Sequence, residues 1–429
     1  MNKYTIYGGS IDEFIEKHYL NKIIESFVKD VNTNNKIISI ILFGGFGKGE
    51  GSIQFIDNKP VPYNDFDFYI VTKKKLSDEE LDKISVNASK SIGMGGLEIA
   101  YFPDQGYDSK KFFHIDVRCI PYNYLNKLIK TQRYYELKYG SQVIYGDKFV
   151  LDKILEIRQE EIPSSEGLRN LFNKLHTMLL GLNKEYNEEY NEEYNEDQRK
   201  IKIFWSYKCY LSICEALLIL DKKFAPSNLE RSKIFSEIYK ENFPELFEKI
   251  PNLNKKVEIA TNFKTKLDFR VNHEKLWNVA LKDILTVFEY YLKKVTGSDE
   301  VSVAINKKLP HTYFKSYLKH ISGANIFPAQ YALNIGYFKI LKKHNETYFA
   351  PLFNWKDVGL RMILPIYFLL KARQEINQET KNPNSNNSEY LNKAYNELRK
   401  IIKTENKDFW HLRERVLKAF GLYYQQRLL

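Results

Sequence analysis

Cysteine is scarce in this chain of 429 residues: only Cys119, Cys209 and Cys214 occur. An odd count gives no disulfide framework, and these separations lack the short paired spacing of a metal finger. A reducing, cytoplasmic setting is therefore expected. Long apolar runs are missing as well. The stretches around Ile37–Phe43 and Met362–Leu370 fall well short of the ~20 residues that a membrane-spanning helix needs. Met1–Ser10 is polar and has no secretory h-region, so a soluble protein without a membrane partner is expected. The last two-thirds of the sequence holds no metal-ligand cluster and no nucleophile–base constellation.

Apolar residues make up 43% and charged residues 28%, a balance that fits a folded chain with room for two or three domains. The 31 Tyr and 28 Phe are accounted for by core packing. A formal net charge of +11 and a pI near 9.1 favour anionic partners: a nucleotide, RNA or an acidic protein.

The rest is organised around Ile37–Val71, IISIILFGGFGKGEGSIQFIDNKPVPYNDFDFYIV. An apolar strand, Ile37–Phe43, stops at Gly44-Gly45. A second strand carries Asp65-Phe66-Asp67-Phe68. Strand residues two apart share a face, so Asp65 and Asp67 point one way and Phe66, Phe68 and Ile70 the other. Two acids side by side repel unless they hold a cation, and hard oxygen ligands suit magnesium. Further on, Phe112–Ile120 alternates again, with Phe113, Ile115, Val117 and Cys119 on one face and His114, Asp116 and Arg118 on the other. Asp116 is the third carboxylate.

Gly44-Gly45 after a strand, followed by Asp65-Phe66-Asp67-Phe68, resembles the signature of the nucleotidyltransferase superfamily. That superfamily includes DNA polymerase beta, aminoglycoside nucleotidyltransferases and CCA-adding enzymes. The wording from Gly44 to Glu50 looks closest to its uridylyltransferase-like and aminoglycoside-like branches. Gly45 stands where many members carry Ser, and the gap to Asp65 is longer than usual, which makes Ser52–Tyr63 an inserted loop. The resemblance covers about the first third of the chain. It implies an α/β catalytic domain with a small mixed sheet, followed here by a large all-α region.

The resemblance also implies two magnesium ions on Asp65, Asp67 and Asp116, with Asp116 accepting a proton. The donor would be a nucleoside triphosphate, ATP by default, cradled by Gly44, Gly45 and Lys48 with Arg118 as a further phosphate contact. The acceptor hydroxyl, on a small molecule, protein or RNA, is not specified. A template-independent RNA nucleotidyltransferase and a non-catalytic nucleotide sensor are the alternatives.

Periodicity supplies the organisation. Ser10-Ile11-Asp12-Glu13 reads as a capping box and Ser77-Asp78-Glu79-Glu80 as another, heading a helix to about Ser91. A short helix is expected over Lys48–Ile53, a strand over Leu97–Phe102 after the Gly93–Gly96 break, and a single helix over Leu125–Tyr139. From Ser164 helical periodicity dominates, giving a catalytic domain over 1–160, a helical domain over 164–296 and a C-terminal helical domain over 309–429. Lys184–Lys200 is a tandem repeat with Tyr186, Tyr190 and Tyr194 on one helical stripe, and Thr380–Asn387 is an Asn-rich loop. Arg169 and His176, seven apart on one helix face, resemble the Arg…His motif of HEPN ribonucleases, which adds a HEPN-like ribonuclease to the alternative functions.

Overall fold

The computed structural model describes residues 3–31, 36–63, 65–94, 115–182, 192–310, 313, 326–347, 357–379 and 388–428. The expected strand Leu97–Phe102, His114, residues 184–191 of the tyrosine repeat and the Asn-rich loop Thr380–Asn387 lie outside the described residues.

A helical stretch opens the chain as α1 (Gly9–Ile15), a π-helical turn (Glu16–Leu20) and α2 (Asn21–Val31). The Ser10 capping box is not used: Gly8 stands at the N-cap, with no side-chain cap. The Asp12 carboxylate instead folds back to accept from the backbone N–H of Lys3, Tyr4 and Thr5 at 2.7, 3.1 and 2.9 Å. The isoleucine-rich run then extends as β1 (Ile37–Phe43), since branched side chains fit a pleated surface better than a helix. One turn, α3 (Gly44–Gly47), follows it.

The expected helix over Lys48–Ile53 does not form. Gly49 turns into the left-handed region at φ +74°, and the chain runs on into a hairpin, β2 (Ile53–Ile56) and β3 (Lys59–Pro62). So the inserted loop is an ordered hairpin. Its two-residue turn, Asp57-Asn58, has φ of +49° and +61°, the twist that joins antiparallel strands tightly.

The main sheet is completed by β4 (Phe66–Thr72), β5 (Ile115–Pro121) and β6 (Gln142–Gly146), in the order β5-β4-β1-β6. β1 is antiparallel to both its neighbours, while β4 and β5 run parallel, so the sheet is small and mixed. Phe66, Phe68, Ile70, Ile115 and Val117 pack on one face against Ile15, Ile23 and Phe27 of the N-terminal helices and Ile84 and Ala88 of α4 (Asp78–Ser91). The Ser77 capping box that starts α4 is fully formed.

On the opposite face Ile41, Tyr69, Val71 and Ile120 meet Leu125, Leu137 and Val150. The helix expected over Leu125–Tyr139 is split into a 3-10 segment, Tyr122–Lys127, and α5 (Gln132–Tyr139). Thr131 causes the split: its hydroxyl caps α5 by accepting from the Tyr134 N–H, which requires extended backbone at the cap.

Beyond Pro163 the described structure is helical: α6 (Ser164–Leu180), α7 (Glu192–Leu220), α8 (Asn228–Asn242), α9 (Pro244–Lys249), α10 (Leu253–Lys266) and α11 (His273–Thr296), with further helices following up to Leu428. Leu168, Leu171, Phe172, Leu175, Met178 and Leu179 place a continuous stripe of α6 in a core that runs from Ile162 to Tyr423. Gln198–Leu220 within α7 has the length and hydropathy to cross a membrane, but 67% of its apolar window is buried inside the protein.

A buried carboxylate joins sheet and helices. Glu50, 1% exposed, lies just past the glycine turn and caps α8. Its oxygens accept from the N–H groups of Asn228 and Leu229 at 3.1 and 2.9 Å and from the Asn228 amide at 2.8 Å. An anion at a helix N-terminus satisfies orphan donors and meets the positive end of the dipole. Glu50→Ala should therefore cost about 2–4 kcal/mol of stability, read as a lower urea midpoint. A midpoint within error of the parent would mean that the cap contributes nothing.

Candidate active site

The acids gather where β1 ends and β4 and β5 begin. Asp67 is the second residue of β4 and Asp116 the second of β5, and they are direct partners in the parallel register. Asp65 precedes β4 and shares the face of Asp67, as alternation requires. Burial, reinforced by the negative charges of Asp65 and Asp116, pushes the Asp67 carboxyl up to about 8. The structure thus brings the three predicted acids into one electrostatic group.

Gly44 is the reason that the turn can sit against them. It has φ +67°, and a Cβ built on it would lie 2.0 Å from the Asp67 Oδ2 atom. No other residue type fits between β1 and that carboxylate. Gly45 is less constrained: a Cβ there would meet the Glu50 carbonyl oxygen at 3.3 Å. The turn is pinned by the Glu50 N–H, which donates to the Gly45 carbonyl at 2.8 Å.

Lys48 does not point freely into the cleft. Its side chain is 6% exposed, and Nζ lies 3.2 Å from Glu136 on α5. Burial lowers its pKa and Glu136 opposes the shift. Glu136 also pairs with Arg231 of α8, whose guanidinium bridges to Glu215 of α7. Lys48 thus joins an ion cluster between sheet and helices, and its charge reaches Asp67 only at longer range.

Arg118, two residues along β5, holds Asp116 with a 3.4 Å contact from Nη2 to Oδ2. Among the described residues β5 is the outermost strand on this side, with β4 between it and β1, so Arg118 stands across Asp67 from the glycine turn.

Two cations escaped sequence reasoning. Lys208 of α7 sits 4.5 Å from the Phe204 ring centroid and feels the charges of Asp65 and Asp67. Burial lowers its pKa. Lys174 of α6 is pushed down to about 8 by burial and by Lys208. Neither forms an ion pair among the described residues. The signal that could have found them is a lysine on the inner face of an otherwise apolar helix, as in Leu171-Phe172-Asn173-Lys174-Leu175.

Arg169 and His176 have separate partners. Arg169 pairs with Glu166 at 3.0 Å, and His176 stacks on Phe420 with ring centroids 3.6 Å apart. Burial, then the charges of Arg413 and Lys174, push the His176 imidazole down to about 3, so it is a neutral packing group. His176→Ala should cost about 2–4 kcal/mol through the lost stack and the cavity it leaves, measured by thermal unfolding. Metal-independent RNA cleavage lost with this substitution would instead revive a nuclease role.

Asp65, Asp67 and Asp116 offer hard oxygen donors, and the crowding that raises the proton affinity of Asp67 is the strain that a divalent cation relieves. Among the described residues no three acidic, imidazole or thiol groups already converge as a closed cation site. The donor chemistry suits magnesium, with coordination left to be completed by phosphate oxygens and water.

No protein-family model and no curated protein matches the chain. Among solved structures, spectinomycin adenyltransferase AAD(9) from Enterococcus faecialis, crystallised with ATP and spectinomycin, is similar at 13% identity and a TM-score of 0.33. The likeness covers 62% of this chain and 97% of that one.

Proposed function

We propose that the chain transfers a nucleoside monophosphate from a nucleoside triphosphate, ATP in the first instance, to a hydroxyl, releasing pyrophosphate. The observation that carries this reading is the register pair Asp67–Asp116 with Gly44 lodged against Asp67. An acidic edge and a side-chain-free turn meet at one point, which suits a phosphate brought alongside cation-binding acids.

Residues 1–160 form the donor-binding part and 164–429 the part that presents the acceptor. Asp65, Asp67 and Asp116 would hold the magnesium ions, which when bound neutralise phosphate charge and lower the pKa of the attacking hydroxyl. Gly44 and Gly45 bring backbone N–H groups close to the triphosphate. Lys208 faces the phosphates from the helical side, with Lys174 close enough to feel its charge, and fixed positive charge there stabilises the departing pyrophosphate. The hydroxyl oxygen bonds to the α-phosphorus as the bond to pyrophosphate breaks, and the proton passes to Asp116.

The test incubates protein with magnesium and each labelled triphosphate, with and without cellular RNA, protein extract or small-molecule extract. Label entering one fraction with the parent, and not with Asp65→Ala/Asp67→Ala, is expected. Triphosphate binding without transfer to any fraction would favour a sensor.

Lys174 adds a pH dependence. Its ammonium is present below about 8 and lost above it, so triphosphate affinity should weaken as pH rises through that value. Lys174→Gln should bind weakly throughout and show a flatter profile in titrations from pH 6.5 to 9. An identical slope in both proteins would remove Lys174 from the site.

A further inference from the structure

The geometry points to a second anion subsite, on the β5 side of the acids, that takes a phosphate or carboxylate carried by the acceptor next to its reacting hydroxyl. This inference rests on the transfer reading above.

The glycine turn follows β1, so the triphosphate and its leaving pyrophosphate belong on the β1 side of Asp67. In phosphoryl transfer the attacking and leaving oxygens lie roughly in line. The attacking hydroxyl therefore comes from the other side, over β5, where Asp116 stands. That side is cationic around the acid. Arg118 contacts Asp116 at 3.4 Å with its side chain still 47% exposed. Arg133 of α5 projects over the same strands and feels both Asp116 and Tyr69, yet it enters no ion pair among the described residues.

Tyr69 is the register partner of Arg118 and continues the Asp65–Asp67 face. It is 3% exposed, and its buried hydroxyl lies against the Arg133 guanidinium. Two guanidinium groups and a phenol donor are thus spread over adjacent strands and the helix above them. The contacts of Arg118 with Asp116 and of Arg133 with Tyr69 use only part of the hydrogen-bonding capacity of the two guanidinium forks. Forked donors of this kind match a planar carboxylate or a phosphate face. A polycationic acceptor would meet repulsion here.

The test uses inorganic phosphate and acetate as separate probes, titrated into the full chain with magnesium and saturating α,β-methylene ATP. Parent protein should bind at least one probe with millimolar affinity, and which one it prefers separates a phosphorylated from a carboxylate acceptor. The Arg118→Gln/Arg133→Gln variant should bind that probe at least tenfold more weakly, with Tyr69→Phe in between. If the analogue binds but neither anion does, or if the double variant binds the anion as the parent does, the subsite is wrong while the transfer reading stands. Loss of analogue affinity in the double variant would place the arginines on the donor side and overturn the inference. Failure of the parent to bind the analogue would remove both readings.

Discussion

Asp67→Asn should lower nucleotidyl transfer by on the order of 10³-fold or more while making the metal-free protein more stable. The two effects have one cause. Asp67 is held between Asp65 and Asp116 in a recess that burial makes unfavourable for charge, so its carboxyl titrates near 8 rather than near 4. Below about pH 4 the group is protonated whether the chain is folded or not, and it contributes no pH dependence. Between about 4 and 8 the unfolded chain releases the proton and the folded chain keeps it, so stability falls as pH rises. Above about 8 the full penalty is present. An amide removes that penalty, keeps the shape and cannot bind a hard cation as a carboxylate does. In chelator, the variant should gain on the order of 2–3 kcal/mol at pH 8 and nothing near pH 4. Magnesium should narrow the gap by stabilising only the parent. Urea denaturation at both pH values, with and without magnesium, decides the matter; a variant that is less stable at pH 8 would refute the crowded-acid account. Gly44→Ala makes the same point sterically. Its Cβ would collide with the Asp67 carboxylate, so activity should fall far more than for Gly45→Ala.

Arg231→Ala should be the most destabilising single change at the seam between sheet and helices, by about 3–5 kcal/mol out of the ~5–15 typical of a folded domain. Arg231 is 1% exposed. It pairs with Glu136 and Glu215 and donates to the carbonyls of Ala225 and Pro226 at 2.6 and 2.7 Å. Removing it leaves, among the described residues, the buried Glu136 with Lys48 as its remaining ion-pair partner and the half-buried Glu215 with only the Asn170 amide donating to it. Lysine should not rescue, because one compact ammonium cannot serve two carboxylates and two carbonyls at once. Neutralising the acids as well, in Arg231→Met/Glu136→Gln/Glu215→Gln, should recover much of the loss. If that triple variant is as unstable as Arg231→Ala, the cost lies in packing and not in unpaired charge.

What was legible in the sequence was local. Alternation placed Asp65 and Asp67 on one face and Phe66, Phe68 and Ile70 on the other, and the Ser77 box located the start of α4. Expectations failed where a distant partner or a single cap decided the outcome. Lys48 reads as a free phosphate ligand until Glu136, far along the chain, takes its charge. The hairpin in place of a loop was foreshadowed by Asp57-Asn58, a pair that tolerates positive φ. Lys208 looks like a misplaced charge in a core helix until folding brings it within reach of Asp65 and Asp67, and Lys174 until it is seen beside Lys208. Arg118 was legible as a neighbour of Asp116 but not as lying across Asp67 from the glycine turn, because strand order is not written in local pattern.

The cap that Glu50 places on α8 also has a meaning for the nascent chain. Its partner Leu229 is 179 residues downstream, so at about 5–20 residues per second the ribosome needs roughly ten to forty seconds to deliver it. During that interval the sheet can form while Glu50 still faces water, its partners on α8 not yet made. The glycine turn is locked from the helical side only after translation has passed α8, so the acidic site reaches its final form when the polypeptide is more than half synthesised.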